Sequence, residues 1–256
     1  MQLPRVALGP HQVSRLICGG NPFSYFSSHA GELTYVSRLF QAYLTMDKIV
    51  ETLMLCEKHG INTFLARGDD HIFNVLDQFE RKAGHRIQWI AQLAPERQPY
   101  EKNLREIAER RPIAVVVHGG VSDRHYAEGA MGKVKGLVKF IHDLGLTAGV
   151  GAHNPYSIRA AEDIGAAADF YFLTMNPVKY HCADMNLAKM VCKSIPKPFI
   201  GFKVLGAGRC KPEVGFKCAM DAGAEFLAVG MFDFQVAENA ALAAKLYAEL
   251  GAAAKS

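Results

Sequence analysis

The sequence predicts an α/β fold, a (β/α)8 TIM barrel, from three observations. Short apolar runs alternate with longer amphipathic segments along most of the chain, the pattern of strands and helices in turn. The runs are continuous in Val, Ile, Leu, Ala and Phe rather than alternating with polar residues, as in parallel strands buried on both faces. Eight such pairs fit into 256 residues, close to the roughly 250 typical of one closed barrel. A doubly wound open sheet is the alternative. It is disfavoured because no Gly-x-Gly-x-x-Gly turn follows an early strand, and the glycine-rich stretch 201–208 comes late with the wrong spacing.

The runs at 13–18, 61–66, 87–93, 113–118, 146–150, 169–173, 199–204 and 225–229 are the expected strands, with Val115-Val116-Val117 the strongest signal among them. A helix over 46–59 follows from Met46, Ile49, Val50, Leu53 and Met54, with Gly60 as its stop. Helices over 71–83, 134–144 and 157–164 end at Gly84, Gly145 and Gly165, the last with Ser157 as a plausible N-cap. Those over 100–110 and 184–194 end before Pro112 and Pro196. The helix over 212–222 opens on Pro212 and stops at Gly223, and an Ala-rich one covers 234–250. The stretch 21–45, rich in Ser, Tyr and Phe, fits neither element. It reads as a lid or binding loop inside a single domain of residues 1–256, with a disordered insertion as the alternative.

Composition narrows the function classes. The net charge is +4 and no basic block stands out, so nucleic acid is not an expected partner. The six cysteines, at 18, 56, 182, 192, 210 and 218, form no Cys-x-x-Cys pair. They are expected to be reduced, mostly buried thiols of a cytoplasmic protein. The first residues lack the apolar run of a signal peptide, and no stretch of about 18 apolar residues suggests a membrane span. A small-molecule substrate is the expected partner; the sequence does not set the oligomeric state.

In a (β/α)8 barrel the loops after the strands build the site, so the polar residues just past each run are the candidates. They are Asn21; Arg67, Asp69, Asp70 and His71; Gln92; His118; His153 and Asn154; Asn176, Tyr180 and His181; Lys203 and Arg209; and Asp233. Any one alone reads as a solvated loop residue, but together they form a ring. His118 ends a run of valines, where a polar group beside a dry core needs partners. Lys203, between Phe202 and Val204, must be paired or have its pKa lowered if it faces inward; Asp69 or Asp70 would supply the pair. His118, His153 and His181, from neighbouring strands, also suggest a divalent metal, although no short ligand spacing supports it.

At these residues the chain resembles the aldo-keto reductase superfamily. Val6-Ala7-Leu8-Gly9 and Val13-Ser14-Arg15-Leu16-Ile17-Cys18-Gly19-Gly20 are similar to that family's short N-terminal hairpin and first strand. Gly60-Ile61-Asn62-Thr63-Phe64 resembles its second strand, and His118 falls where its active-site histidine ends strand four. Gly149-Val150-Gly151-Ala152-His153-Asn154, Met175-Asn176-Pro177 and the run from Gly201 to Arg209 are similar to its strands five, six and seven. Val229-Gly230-Met231 with Ala237-Glu238-Asn239 resembles the turn after strand eight and the helix that follows. The resemblance implies a hairpin-closed barrel. It also implies a nicotinamide cofactor, NADP or NAD, near Gly206, Gly208, Gly230 and Asn239.

The departures fall on the chemistry. The family's reductases use an Asp, Tyr, Lys and His set in which the tyrosine protonates the carbonyl, its pKa lowered by Lys and Asp. Here Leu65 stands at the Asp position, Gln92 at the Lys position, and no tyrosine lies near 69–71; His118 alone remains. The loop after strand eight lacks the basic residues that clamp a 2′-phosphate. The expected function is therefore acid/base chemistry of isomerase, lyase or hydrolase type on a small carbonyl or sugar-like substrate. Catalysis would fall to His118, Lys203, Asp69, Asp70 and Arg67. Substrate binding would fall to Asn21, Gln92, His153, Asn154, Asn176, Tyr180 and Arg209. Two alternatives stay open: an NAD(P)H-dependent oxidoreductase with Tyr25, Tyr35 or Tyr180 as donor, and a non-catalytic binding barrel.

Overall fold

The computed structural model describes residues 2–24, 35–182 and 184–253. Its centre is a closed barrel of eight parallel strands: β3 (Leu16–Gly19), β4 (Thr63–Arg67), β5 (Gln88–Gln92), β6 (Ala114–Val117), β7 (Thr147–Ala152), β8 (Phe170–Thr174), β9 (Phe199–Phe202) and β10 (Phe226–Gly230). The strands pair in chain order and β10 closes on β3, Val229 opposite Cys18. Ahead of the barrel, β1 (Arg5–Leu8) and β2 (His11–Ser14) form an antiparallel hairpin. The single run expected over 13–18 is thus two strands. Arg15 interrupts it, with the hairpin ending at Ser14 and the barrel beginning at Leu16.

The helices that follow are α1 (Val36–Tyr43), α2 (Met46–Lys58), α3 (Asp70–Ala83), α4 (Tyr100–Glu109), α5 (Gly119–Ala127), α6 (Met131–Asp143), α7 (Pro155–Asp163), α8 (Met185–Ser194), α9 (Pro212–Ala222) and α10 (Asp233–Ala253). Two of them were not legible as helices. α5 begins with two glycines, poor helix formers, and no element was expected there; the His118 side chain caps it by accepting from the Gly120 amide. α1 and a 3-10 turn over Pro22–Ser24 occupy part of 21–45; of that stretch, residues 25–34 lie outside the described ones. α7 is capped by Asn154, not by Ser157. No helix among the described residues is long and apolar enough to cross a membrane. The six cysteines are free thiols, four of them buried.

Strand alternation divides the core in two. Ile17, Leu65, Ile90, Val116, Phe170, Phe172, Ile200, Phe202, Phe226 and Ala228 fill the barrel interior. Leu8 and Val13 of the hairpin join them. The hairpin lies at the strand starts, where Gly9 packs against Thr147, the first residue of β7. Burying Leu8 and Val13 there contributes about 1.5–3 kcal/mol each. The intervening residues, such as Cys18, Phe64, Trp89, Val115, Tyr171 and Leu227, face the helices. Phe170 fits inside only because β7 carries Gly149 beside it: a Cβ there would sit 2.3 Å from the ring.

Candidate active site

The alternation that fills the interior also decides what stands at its open end. Arg67 lies two residues beyond Leu65, Gln92 two beyond Ile90, and His118 two beyond Val116. All three take the inward phase, and Arg67 pairs in register with Gln92. His153 follows β7 in the phase of Gly149 and Gly151. Together with Lys203 and Tyr180 these residues line a cavity of about 380 Å³ at the strand ends, walled by Phe40, Phe172, Phe202 and Phe232. That volume suits a small molecule.

His118 is held neutral. Burial, then the neighbouring His153, Arg67 and Lys203, push its pKa down from 6.5 to about 4, against an opposing pull from Glu96. Its Nδ1 accepts the Gly120 amide proton at 3.0 Å. The proton of the neutral ring therefore sits on Nε2, and His118 is a hydrogen-bond donor at neutral pH.

His153 has the opposite arrangement. Its Nδ1 lies 2.9 Å from Asp123 Oδ2, and Asp123 also accepts from the amides of His153 and Asn154 and from Ser157 Oγ. Burial pushes the Asp123 carboxyl up, but those hydrogen bonds prevail and its pKa is lowered. A carboxylate only accepts, so His153 donates through Nδ1, and in the neutral ring Nε2 is left as an acceptor facing away from Asp123. Asp123 sits on α5, the helix hidden by its opening glycines, and was missed in the sequence for that reason. Arg67 donates from Nε to Asp69 at 3.0 Å and from a terminal nitrogen to Glu96; Glu96 was also not foreseen.

Lys203 is the residue after β9, where strand phase would turn it toward the helices. Its φ of 53° breaks the strand, and the side chain lines the cavity instead. Its ammonium lies 5.2 Å from the Tyr180 ring centre and 5.9 Å from that of Phe202. Burial lowers its pKa. The expected pairing with Asp69 or Asp70 is not made. Asp69 caps α3 and holds Arg67, and Asp70 is exposed and paired with Arg97 at 2.6 Å. Neither carboxylate lines the cavity, so neither is placed as its acid or base.

No protein-family model matches the chain, and no curated protein matches it by sequence. Solved structures do match in shape. An aldo/keto reductase from Brucella melitensis is 12% identical with a TM-score of 0.57, covering 93% of this chain and 91% of that one. The Amycolatopsis orientalis BexX/CysO complex gives 12% identity and a TM-score of 0.58, covering 94% and 93%. A native KDPGal structure gives 13% and 0.57, covering 81% and 91%. At such identities the likeness establishes the TIM barrel and nothing narrower.

Of the other residues expected at the site, Asn21, Gly208 and Gly230 line the cavity with those above. The rest do not. Asn176 spends both ends of its amide on the Tyr180 backbone, at 2.8 and 2.9 Å, and so fixes the loop that places Tyr180 over Lys203. Asn154 caps α7. Arg209 bonds the Gly206 carbonyl and stacks on Tyr180 from outside. Gly206 packs against Val178, and Asn239 is buried within α10. The set expected to hold a nicotinamide therefore does not share one surface. His71 bonds the Phe23 carbonyl, and Asp233 ties α10 to Tyr43 and Lys48.

The three histidines are not brought together as a ligand set either. The His153 and His181 rings lie 5.5 Å apart, but His118, whose Nδ1 accepts from Gly120, presents a protonated Nε2. Among the described residues no three His, Cys, Asp or Glu side chains are grouped as metal ligands. Of the tyrosines considered as donors, Tyr180 lines the cavity, Tyr35 is exposed, and Tyr25 is outside the described residues.

Proposed function

We propose that this chain is an enzyme on an aldo-keto-reductase-like barrel, acting on a small carbonyl or sugar-like compound that carries an anionic group. It moves protons beside the carbonyl, as an isomerase or lyase, rather than reducing it through a tyrosine. One observation carries this reading. Among the described residues the cavity is lined by Arg67, Lys203, His118, His153 and Gln92, with no Asp or Glu. Such a surface favours anions and developing negative charge.

The roles follow from the hydrogen bonds. His118 donates Nε2–H to the carbonyl oxygen and stabilises the enolate that forms when a neighbouring proton leaves. His153, oriented by Asp123, takes that proton on Nε2. Arg67 has spent only part of its five N–H groups on Asp69 and Glu96, and the remainder receives the anionic group. Returning the proton to a different carbon gives an isomer; expelling a group from the enolate gives a lyase. The hairpin and the histidine ending the fourth barrel strand support the reductase-like ancestry, while Leu65 and Gln92 at the Asp and Lys positions support the change of chemistry.

The test is solvent exchange. The protein is incubated in D2O with small α-oxo acids and with aldose and ketose phosphates, and the C–H signals next to the carbonyl are followed by NMR. The reading expects deuterium uptake in at least one compound and a fall of about a hundredfold or more in His118→Ala, with a smaller loss in Asp123→Asn. Exchange at an unchanged rate in His118→Ala, or none with any compound, overturns it.

A further inference from the structure

The scheme above leaves Lys203 without a chemical role, yet several features set it apart from the chain's other cations. It lines the cavity half-buried, and among the described residues its ammonium group makes neither a hydrogen bond nor an ion pair, although its carbonyl accepts from the Gly206 amide. The carboxylates around the mouth are engaged elsewhere, Glu96 with Arg67 and Asp123 with His153. Its neighbours are ring faces, Tyr180 and Phe202. Tyr180 is fixed there by the Asn176 clamp. The backbone reaches this position only through a left-handed residue, φ 53°, a conformation costly for any residue but glycine. A lysine serving only as an anchoring charge needs neither the left-handed backbone nor the packing against ring faces, since a solvated lysine on a relaxed loop at the mouth would hold an anion as well.

We infer that Lys203 is a nucleophile that forms a Schiff base with the substrate carbonyl, in the same cavity where His118 presents its Nε2–H. This deepens the proposed function and rests on its carbonyl substrate. Burial without a counter-charge favours the neutral amine, the form that attacks carbonyl carbon. The Nζ lone pair forms the C–N bond while the carbonyl π pair moves to oxygen. That oxygen, hydrogen-bonded to His118, takes up a proton and then a second, and leaves as water as C=N forms. One of those protons comes from the attacking nitrogen and the other from solvent; nitrogen keeps its second proton, so the product is the iminium cation. The iminium draws in the electron pair of an adjacent C–H bond, with His153 accepting the proton, or that of an adjacent C–C bond, whose hydroxyl-bearing far carbon leaves as a carbonyl while His153 takes the hydroxyl proton. His153 then returns the proton to the enamine carbon and restores the iminium. Hydrolysis returns the free amine. No oxidant or reductant is consumed. The substrates that fit are α-oxo acids and ketose phosphates, whose carbonyl lies close to an anionic group that Arg67 can hold.

Reductive trapping tests this on the full chain. Glyoxylate and sodium cyanoborohydride are added at neutral pH, and peptides are mapped by mass spectrometry. Hydride adds to the iminium carbon and leaves a carboxymethyl group on nitrogen. The expected result is that Lys203 is modified before exposed lysines such as Lys139, together with loss of deuterium exchange in Lys203→Arg, which keeps the charge and removes the nucleophile. Modification of Lys203 no faster than of Lys139 overturns the inference, whether or not the variant folds. Exchange that survives in Lys203→Arg also overturns it, while leaving the proton-transfer reading in place. Selective trapping with no exchange in the wild type does the reverse: the imine stands and the proton-transfer scheme falls.

Discussion

The two ends of the barrel are made from the same eight strands, yet they behave as different materials. At the strand starts Leu8 and Val13 of the hairpin meet Ile17, Phe170 and Phe226 in a dry plug. At the strand ends the inward positions carry Arg67, Gln92, His118 and His153 around an open cavity. One alternating pattern, read from its two ends, gives first a seal and then a reactive surface. Because each layer rests on the one below, the floor sets stability and the mouth sets chemistry.

Breaking the floor should have the largest effect. Phe170→Ala removes a ring packed on Gly149 in the sealed interior, and a loss of about 3–5 kcal/mol is expected from urea unfolding. A loss below about 1 kcal/mol would mean that the interior collapses around the gap and the floor is less rigid than described.

The next effect belongs to the mouth and depends on pH. An unfolded imidazole takes up its proton near pH 6.5, whereas the folded protein holds that of His118 off until about pH 4. Between those values only the unfolded chain binds the proton. Stability therefore falls as pH drops from about 6.5 to about 4, and levels off below. The loss is about 3 kcal/mol at 1.36 kcal/mol per pH unit. Comparing wild type with His118→Gln by urea unfolding at pH 7 and pH 4.5 isolates it, because other groups titrate in both. Equal pH dependence in the two proteins would show that the imidazole is reached by water.

The smallest effect lies outside both regions. Asp70 is exposed and pairs with Arg97, so Asp70→Asn should cost under about 1 kcal/mol and leave deuterium exchange unchanged. A marked fall in exchange would extend the mouth out to α3.

Much of this was legible in the sequence. The barrel and its site face follow from the strand runs, because continuous Val/Ile/Leu segments between glycine-stopped helices have few other arrangements. His118, Arg67, Gln92 and Lys203 could be named because they end those runs. The roles were harder to read, since they depend on which neighbour a side chain meets. Asp69 and Asn154 look like site residues until the helices they cap are in place. Asn176 was expected on substrate and instead holds a loop. Asp123 was hidden by the two glycines of α5, because the residue that caps that helix is a histidine, an uncommon cap. A capping reading of His118-Gly119-Gly120 would have revealed the helix and, one turn along, the partner of His153.

Position 203 has a consequence for how this chain tolerates change over time. A left-handed residue costs a lysine roughly 1–2 kcal/mol that glycine would avoid. Exchange of Lys203 for glycine would therefore relax the backbone at the same moment that it removed the amine. Drift toward a more comfortable chain and drift toward a silent one point in the same direction here, and a lysine at this position persists only while something other than stability retains it.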